Sequence, residues 1–153
     1  MRILQWSRFI NENNDLNTKI VNIFGISLDE IKDLLYDITD DEFKVDIELR
    51  TPKDNYILPI DILLIKIEKE GSTLFKLSEI DDCVKSINSF LSSYDLKILY
   101  NSSDKGGISP DLKKIHNLDL NTSFFIGVNL FIGKISDINR ENKIRREKGY
   151  PEM

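Results

Sequence analysis

Residues Phe43-Lys44-Val45-Asp46-Ile47-Glu48-Leu49-Arg50 alternate apolar and charged side chains without a break. Successive side chains of an extended strand point to opposite faces, so this run is a β-strand with one dry face and one wet face. Such a strand cannot stand alone, because its apolar face needs a second layer and its backbone needs neighbours. Thr51-Pro52-Lys53-Asp54-Asn55 is rich in turn formers, and Ile57 to Glu68 is predicted to return as the antiparallel partner. In this second run the alternation changes phase, with Asp61 polar on one parity and Lys66 and Glu68 on the other. Two arrangements account for that: a bulge near Leu63-Leu64, or a central strand covered on both faces.

Helical spacing frames the hairpin. Leu16, Ile20, Ile23 and Phe24 recur at intervals that share a helix face, and Gly25 interrupts them. Ser27-x-x-Glu30 is a capping box, so a new helix starts near Leu28 with Leu28, Ile31, Leu34, Leu35 and Ile38 as its apolar stripe. The first strand is expected to carry much of the core, with Val45 and Ile47 inward and Asp46 and Glu48 outward. Ser78 is placed to cap a helix carrying Ile80, Val84, Ile87, Phe90 and Leu91. Leu96 to Tyr100 reads as a short strand, and Asn101 to Ser109, with Gly106-Gly107, as a long polar loop. Pro110 suits the first turn of a short helix through Ile115. Thr122 to Ile132 reads as one long strand with Phe124, Ile126, Val128, Leu130 and Ile132 on one parity. Ser136 to Lys148 is predicted to be a terminal helix stopped by Gly149 and Pro151. The order implies a single α+β domain over residues 13–153, in two layers, with helices packed on a mostly antiparallel four-stranded sheet.

A chain of 153 residues buries roughly two-thirds of its unfolded surface on folding, enough for a core without disulfides or metals. No cofactor is expected. Cys83 is the one cysteine, so no intramolecular disulfide can form and an oxidising compartment is not indicated. A net charge of -5 and a pI near 5.0 disfavour nucleic acid as a partner, because neutralising phosphates needs clustered Lys and Arg. No secretory apolar run follows Arg2, and no apolar segment approaches the roughly eighteen residues of a membrane span. No membrane partner is therefore expected, and the expected location is the cytoplasm. Nothing in the pattern specifies the oligomeric state.

Trp6-x-x-Phe9-Ile10-x-Glu12 sets an aromatic, an apolar pair and a carboxylate at fixed spacing. It resembles the N-terminal capsid-targeting peptide of internal proteins in T-even-type contractile-tailed bacteriophages, an amphipathic leader ending in Ile/Leu-x-Glu. The resemblance implies a host cell or a virion as the location, cleavage by a prohead protease after Glu12 with Ile10 as part of its recognition, and residues 1–12 as a leader ahead of the domain. Ile3, Trp6, Phe9 and Ile10 also fall at helical spacing, which equally suits the buried stripe of an ordinary first helix. The run from Leu34 to Ile47, a Leu-rich helix passing through an Asp-rich turn into Phe-x-Val-x-Ile, is similar to a join in small uncharacterised proteins of large contractile-tailed phages. No activity follows from that likeness.

Between Asp29 and Glu42 stand seven acidic residues (Asp29, Glu30, Asp33, Asp37, Asp40, Asp41, Glu42) and one lysine, a local sum of -6. Two roles compete for it: a face that meets a protein with a basic surface, and a solvated helix side followed by a turn. Asp37, Asp40, Asp41 and Glu42 offer oxygens to a hard cation, although the spacing lacks the glycine of a calcium loop. His116 and Cys83 are each unique, and a nucleophilic pair would need them in hydrogen-bond contact. Lys105-Gly106-Gly107 lacks the longer frame of a phosphate-binding loop. Arg140, Lys143, Arg145, Arg146 and Lys148 against Glu141 and Glu147 give residues 140–148 of the terminal helix a local charge of +3, to suit its dipole, to bind an acidic partner or to fold back on the acidic run. The expected function is a non-catalytic phage accessory protein acting by protein binding. An immunity or antitoxin-like inhibitor and a carboxylate-dependent metal enzyme are the alternatives.

If residues 1–12 are a leader, the domain folds without them. A chain beginning at Asn13 should keep its thermal midpoint within a few degrees, since a loss of 1 kcal/mol already lowers it by about 2 to 6 °C in a domain of this size. A collapse would assign Trp6 and Phe9 to the core.

Overall fold

The computed structural model describes residues 15–40, 42–53, 59–102, 105–109 and 124–153. The segment Met1 to Glu12, Asp41, the Pro110 helix and His116 lie outside them, and so do the side chains of Asp40 and of 105–109. Helix α1 covers 15–24. It is followed by α2 (Leu28–Asp40), β1 (Phe43–Arg50), β2 (Ile62–Lys69), β3 (Phe75–Lys76) and α3 (Asp81–Leu91). The chain continues through β4 (Leu96–Ser102), β5 (Lys105–Ser109), β6 (Phe124–Phe125), β7 (Gly127–Lys134) and α4 (Ile135–Glu147).

The class is α+β. The main sheet runs β1-β2-β7-β4-β5, antiparallel at every junction. Its first four members are the four strands expected, and β5 is a fifth at the edge, formed within the segment read as a polar loop. Lys-Gly-Gly-Ile-Ser carries no alternation, so only its pairing with β4 reveals it as a strand.

β1 and β2 form the predicted hairpin, in continuous register from Phe43 opposite Lys69 to Arg50 opposite Ile62. β2 therefore starts at Ile62 rather than Ile57, which lies outside the described residues. Without a register shift there is no bulge, and the phase change has the second cause. Leu63, Ile65 and Ile67 face one core with α1, α2 and α3, while Ile62 and Leu64 face another with Leu99, Phe131, Ile138 of α4 and Met153. Lys66 and Glu68, on the parity of Leu64, lie beyond that second cluster and meet water.

The sheet's edge corrects one expectation about the core. Val45, Ile47 and Leu49 do point inward but are only part-buried, whereas Ile67, Ile65 and Leu63 opposite them are fully buried. An edge strand has a neighbour on one side alone, so β2 carries the burial expected of β1.

The capping box forms as read: the Ser27 amide donates to Glu30 Oε2 at 2.9 Å, and the Glu30 amide to Ser27 Oγ at 3.2 Å. Ser78 does not cap α3. It sits in a 3-10 turn, Leu77–Glu79, with Ile80 as N-cap and Asp81 and Asp82 in the first helical turn. The predicted strand over 122–132 splits at Ile126. β6 pairs with β3 in a small separate sheet, and β7 enters the main one. The split reverses the parity, so Phe125 joins the core while Phe124 and Ile126 are exposed. Phe75 ties the small sheet to the hairpin through an edge-on contact with Phe43 at 5.1 Å.

At the far end of β7, a Cβ on Gly133 would lie 3.2 Å from Ile62 Cδ1 and 3.3 Å from Ile138 Cδ1, so the glycine admits α4 to the sheet. The helix stops as predicted, with Gly149 at φ +76. Its position on the face opposite α2 rules out the fold-back onto the acidic run.

Ile65→Ala should cost about 4 kcal/mol by urea unfolding and Ile47→Ala about 2, because only the first empties a site closed on all sides. Equal losses would show that β1 is covered as fully as β2.

Candidate functional site

Helix geometry separates two surfaces of α2. Residues advance about 100° each, so Leu28, Lys32, Leu35, Tyr36 and Thr39 share a side that overlooks β1. Together with Leu16, Val45, Asp46 and Ile47 they line an open groove of about 480 Å³. Asp29, Asp33 and Asp37, spaced by fours, form a stripe on the solvent side beside that groove, and all three are exposed. Among the described residues no ion pair involves any of them. Glu42, also exposed, ends the run at φ 70. Asp41 and the Asp40 side chain lie outside the described residues, and with them the convergence of Asp37, Asp40 and Asp41 that a metal enzyme would need. Among the described residues no group of three His, Cys, Asp or Glu is placed to hold a metal ion.

Cys83 is nearly buried on α3, and its thiol donates to the Leu34 carbonyl at 3.2 Å. Burial, and then the negative charge of Asp37, pushes its pKa up to about 11 from 9.0. A thiol held protonated is a poor nucleophile. The residue serves the α2–α3 contact, and its proposed partner His116 lies outside the described residues.

A second polar surface escaped the sequence reading. On the sheet face away from α2, register places Asp46, Lys66, Asn129 and Asn101 in one row across β1, β2, β7 and β4. Lys66 Nζ donates to Glu48 Oε1 at 2.8 Å, and Arg50 to Glu48 Oε2 at 3.3 Å. The Lys66 hydrogen bond, aided by Arg50, holds the Glu48 carboxyl below its ordinary range against the opposing effect of burial. Asn129 donates to Asn101 Oδ1 at 3.2 Å. Asp46 lies 3.9 Å from Lys44 Nζ, so each charged member of the row has an opposite charge beside it. The charged side of β1 and the polar parity of Lys66 were legible beforehand, while Asn129 and Asn101 were not joined to them because they come from strands far away in the chain.

The arginines of α4 are engaged: Arg140 with Asp137 at 3.0 Å, Arg145 with Glu141 at 3.2 Å and Arg146 with Glu152 at 2.6 Å. Beside them Pro59, Ile144, Lys148, Tyr150 and Pro151 line a groove of about 390 Å³.

Comparison with family models, with curated proteins and with solved structures returns no match. No helix among the described residues is long and apolar enough to cross a membrane.

The Cys83 thiol sets a pH window. The unfolded thiol ionises near 9 while the folded one stays protonated, so its contribution to stability is complete below pH 9 and is lost between pH 9 and about 11. Unfolding curves across that range should fall more steeply for the wild type than for Cys83→Ala. Parallel curves would mean that the thiol is not held in its protonated form.

Proposed function

We propose that this chain is a non-catalytic phage accessory protein that acts by binding a protein with a basic surface through the solvent side of α2. The observation that carries the reading is the stripe of Asp29, Asp33 and Asp37, exposed and without ion-pair partners among the described residues. Three carboxylates in line along one helix side attract a cationic surface at long range and raise its association rate. The groove beside them supplies apolar contact area, including the exposed ring of Tyr36. The likeness of Met1 to Glu12 to a capsid-targeting peptide supports packaging in the virion and delivery to the host. An immunity-type inhibitor would use the same acidic face but has no use for cleavage after Glu12.

Two measurements test the reading. Protein recovered from virions should begin at Asn13; its absence from virions would remove packaging and leave the inhibitor. Reversing Asp29, Asp33 and Asp37 to Lys should change stability by less than about 1 kcal/mol, because the side chains are exposed. The same triple variant should slow association with a partner captured from host lysate on the order of tenfold or more, with high salt giving the wild type the same defect. A partner that binds wild type and variant equally fast, whatever the salt, excludes this face.

A further inference from the structure

The outer edge of β1 leads beyond that reading. Among the described residues β1 pairs with β2 on one side and with no strand on the other. An unpaired edge eight residues long is a template for another strand unless the chain blunts it. Among the described residues most of the usual means are missing. No proline falls between Phe43 and Arg50, no register shift interrupts the pairing with β2, and the outward charges are of both signs. The inner side chains Val45 and Ile47 are left part-buried where the groove of about 480 Å³ opens beside them.

We propose that β1 pairs with β1 of a second copy, so that two sheets join into one antiparallel sheet across a twofold axis. Antiparallel pairing sets residues of the same face opposite one another, and the charges on the outer face then select the register. Lys44, Asp46, Glu48 and Arg50 run plus, minus, minus, plus. Centred on Ile47, the pairing puts Lys44 against Arg50 and Asp46 against Glu48, like charges at every position. Centred on Glu48, it matches Asp46 with Arg50 but runs Lys44 against Pro52, which shortens the ladder. Centred on Asp46, it sets Lys44 of each copy against Glu48 of the other and spans Phe43 to Leu49.

Opposite charges across strands attract and like charges repel; registers centred on Val45 and on Leu49 also pair opposite charges but over shorter ladders, so the register centred on Asp46 is the one that joins attraction to length. Its single like pair is Asp46 with its own copy at the axis. Cations flank it, with Lys44 Nζ 3.9 Å from Asp46 and Lys66 directly across on β2. On the inner face the register matches Phe43 with Leu49 and Val45 with Ile47, which extends the apolar surface beside the groove. The carboxylate stripe of α2, turned to solvent, stays free for another partner.

Sedimentation velocity on the full chain tests the proposal. The wild type should sediment as a dimer of twice 17.8 kDa. Lys44→Glu turns both attractive pairs into repulsive ones and should raise the dissociation constant at least about tenfold. Glu48→Lys should weaken self-association in the same way. An equimolar mixture of the two variants should form a heterodimer. In it the carboxylate introduced in one copy faces the ammonium introduced in the other, and the native Glu48 of the first copy still meets the native Lys44 of the second. Glu48 also holds Lys66 and Arg50, so if that variant fails to fold by circular dichroism the decision falls to Lys44→Glu, whose side chain is 66% exposed. A wild type that stays monomeric up to about 100 μM, a range that reaches well beyond ordinary specific affinities, overturns the proposal. So does a dimer that Lys44→Glu leaves unchanged. Reversal of Asp29, Asp33 and Asp37 should leave the dimer intact, which separates this inference from the binding role of α2.

Discussion

The structure depends on β2 being dry on both faces along most of its length. Ile62, Leu63, Leu64, Ile65 and Ile67 are each at most 1% exposed, so each needs cover from above or below as well as a strand on either side. β1 and β7 supply the flanks. α1, α2 and α3 close one face and α4 closes part of the other, where Gly133 lets Ile138 reach Ile62. Even the last residue takes part. Met153 is buried in the second cluster, and its amide and carbonyl are bonded to the Asn142 side chain at 2.7 and 3.1 Å. Where that cover ends, β2 turns polar on the exposed side, and Lys66 can meet Glu48 and flank Asn129 in water. One strand thus sets where α4 docks and where the polar row starts.

Local patterns were legible where the physics is local. The alternation of β1, the capping box of Ser27 and Glu30, and the glycine stop of α4 each depend on residues within a turn or a strand. The class of fold followed from their order. What escaped depends on residues far away in sequence. β5 is a strand because β4 lies beside it, and nothing in Lys105 to Ser109 announces that. The run into β7 keeps one alternation through Ile126, yet its two pieces pair with β3 and with β2 and β4 in different sheets. Burial of β1 was overestimated for a related reason: alternation shows which side chains face inward and says nothing of whether the strand is central or at an edge.

The candidate site divides in the same way. The carboxylates of α2 are visible as a charge run, and helical periodicity already separates them from the apolar stripe. The groove beside them is not visible, since it joins Leu16, Leu28 and Leu35 to Val45 and Ile47 and exists only because β1 has no outer neighbour among the described residues. Cys83 shows the limit from the other side. Its isolation in the sequence suggested either chemistry or packing, and only the contact with Leu34 and the nearness of Asp37 decide for packing.

Local stability accounts for part of the acidic run and not for the rest. Asp29 and Glu30 lie in the first turn of α2, where carboxylates favour the positive end of the helix dipole and Glu30 completes the capping box. Asp37 lies near the opposite end, in a helix whose last turn contains no basic residue. There its charge meets the negative end of the dipole, and it adds to the burial that already suppresses ionisation of Cys83. The first effect is unfavourable to the monomer, while the second costs nothing at neutral pH, where the thiol is uncharged. A cationic surface laid along α2 would relieve the first, because it would neutralise the carboxylate and the dipole end together. On the proposed reading, the C-terminal half of the stripe, beside Tyr36 and the mouth of the groove, is therefore where a basic partner would gain most.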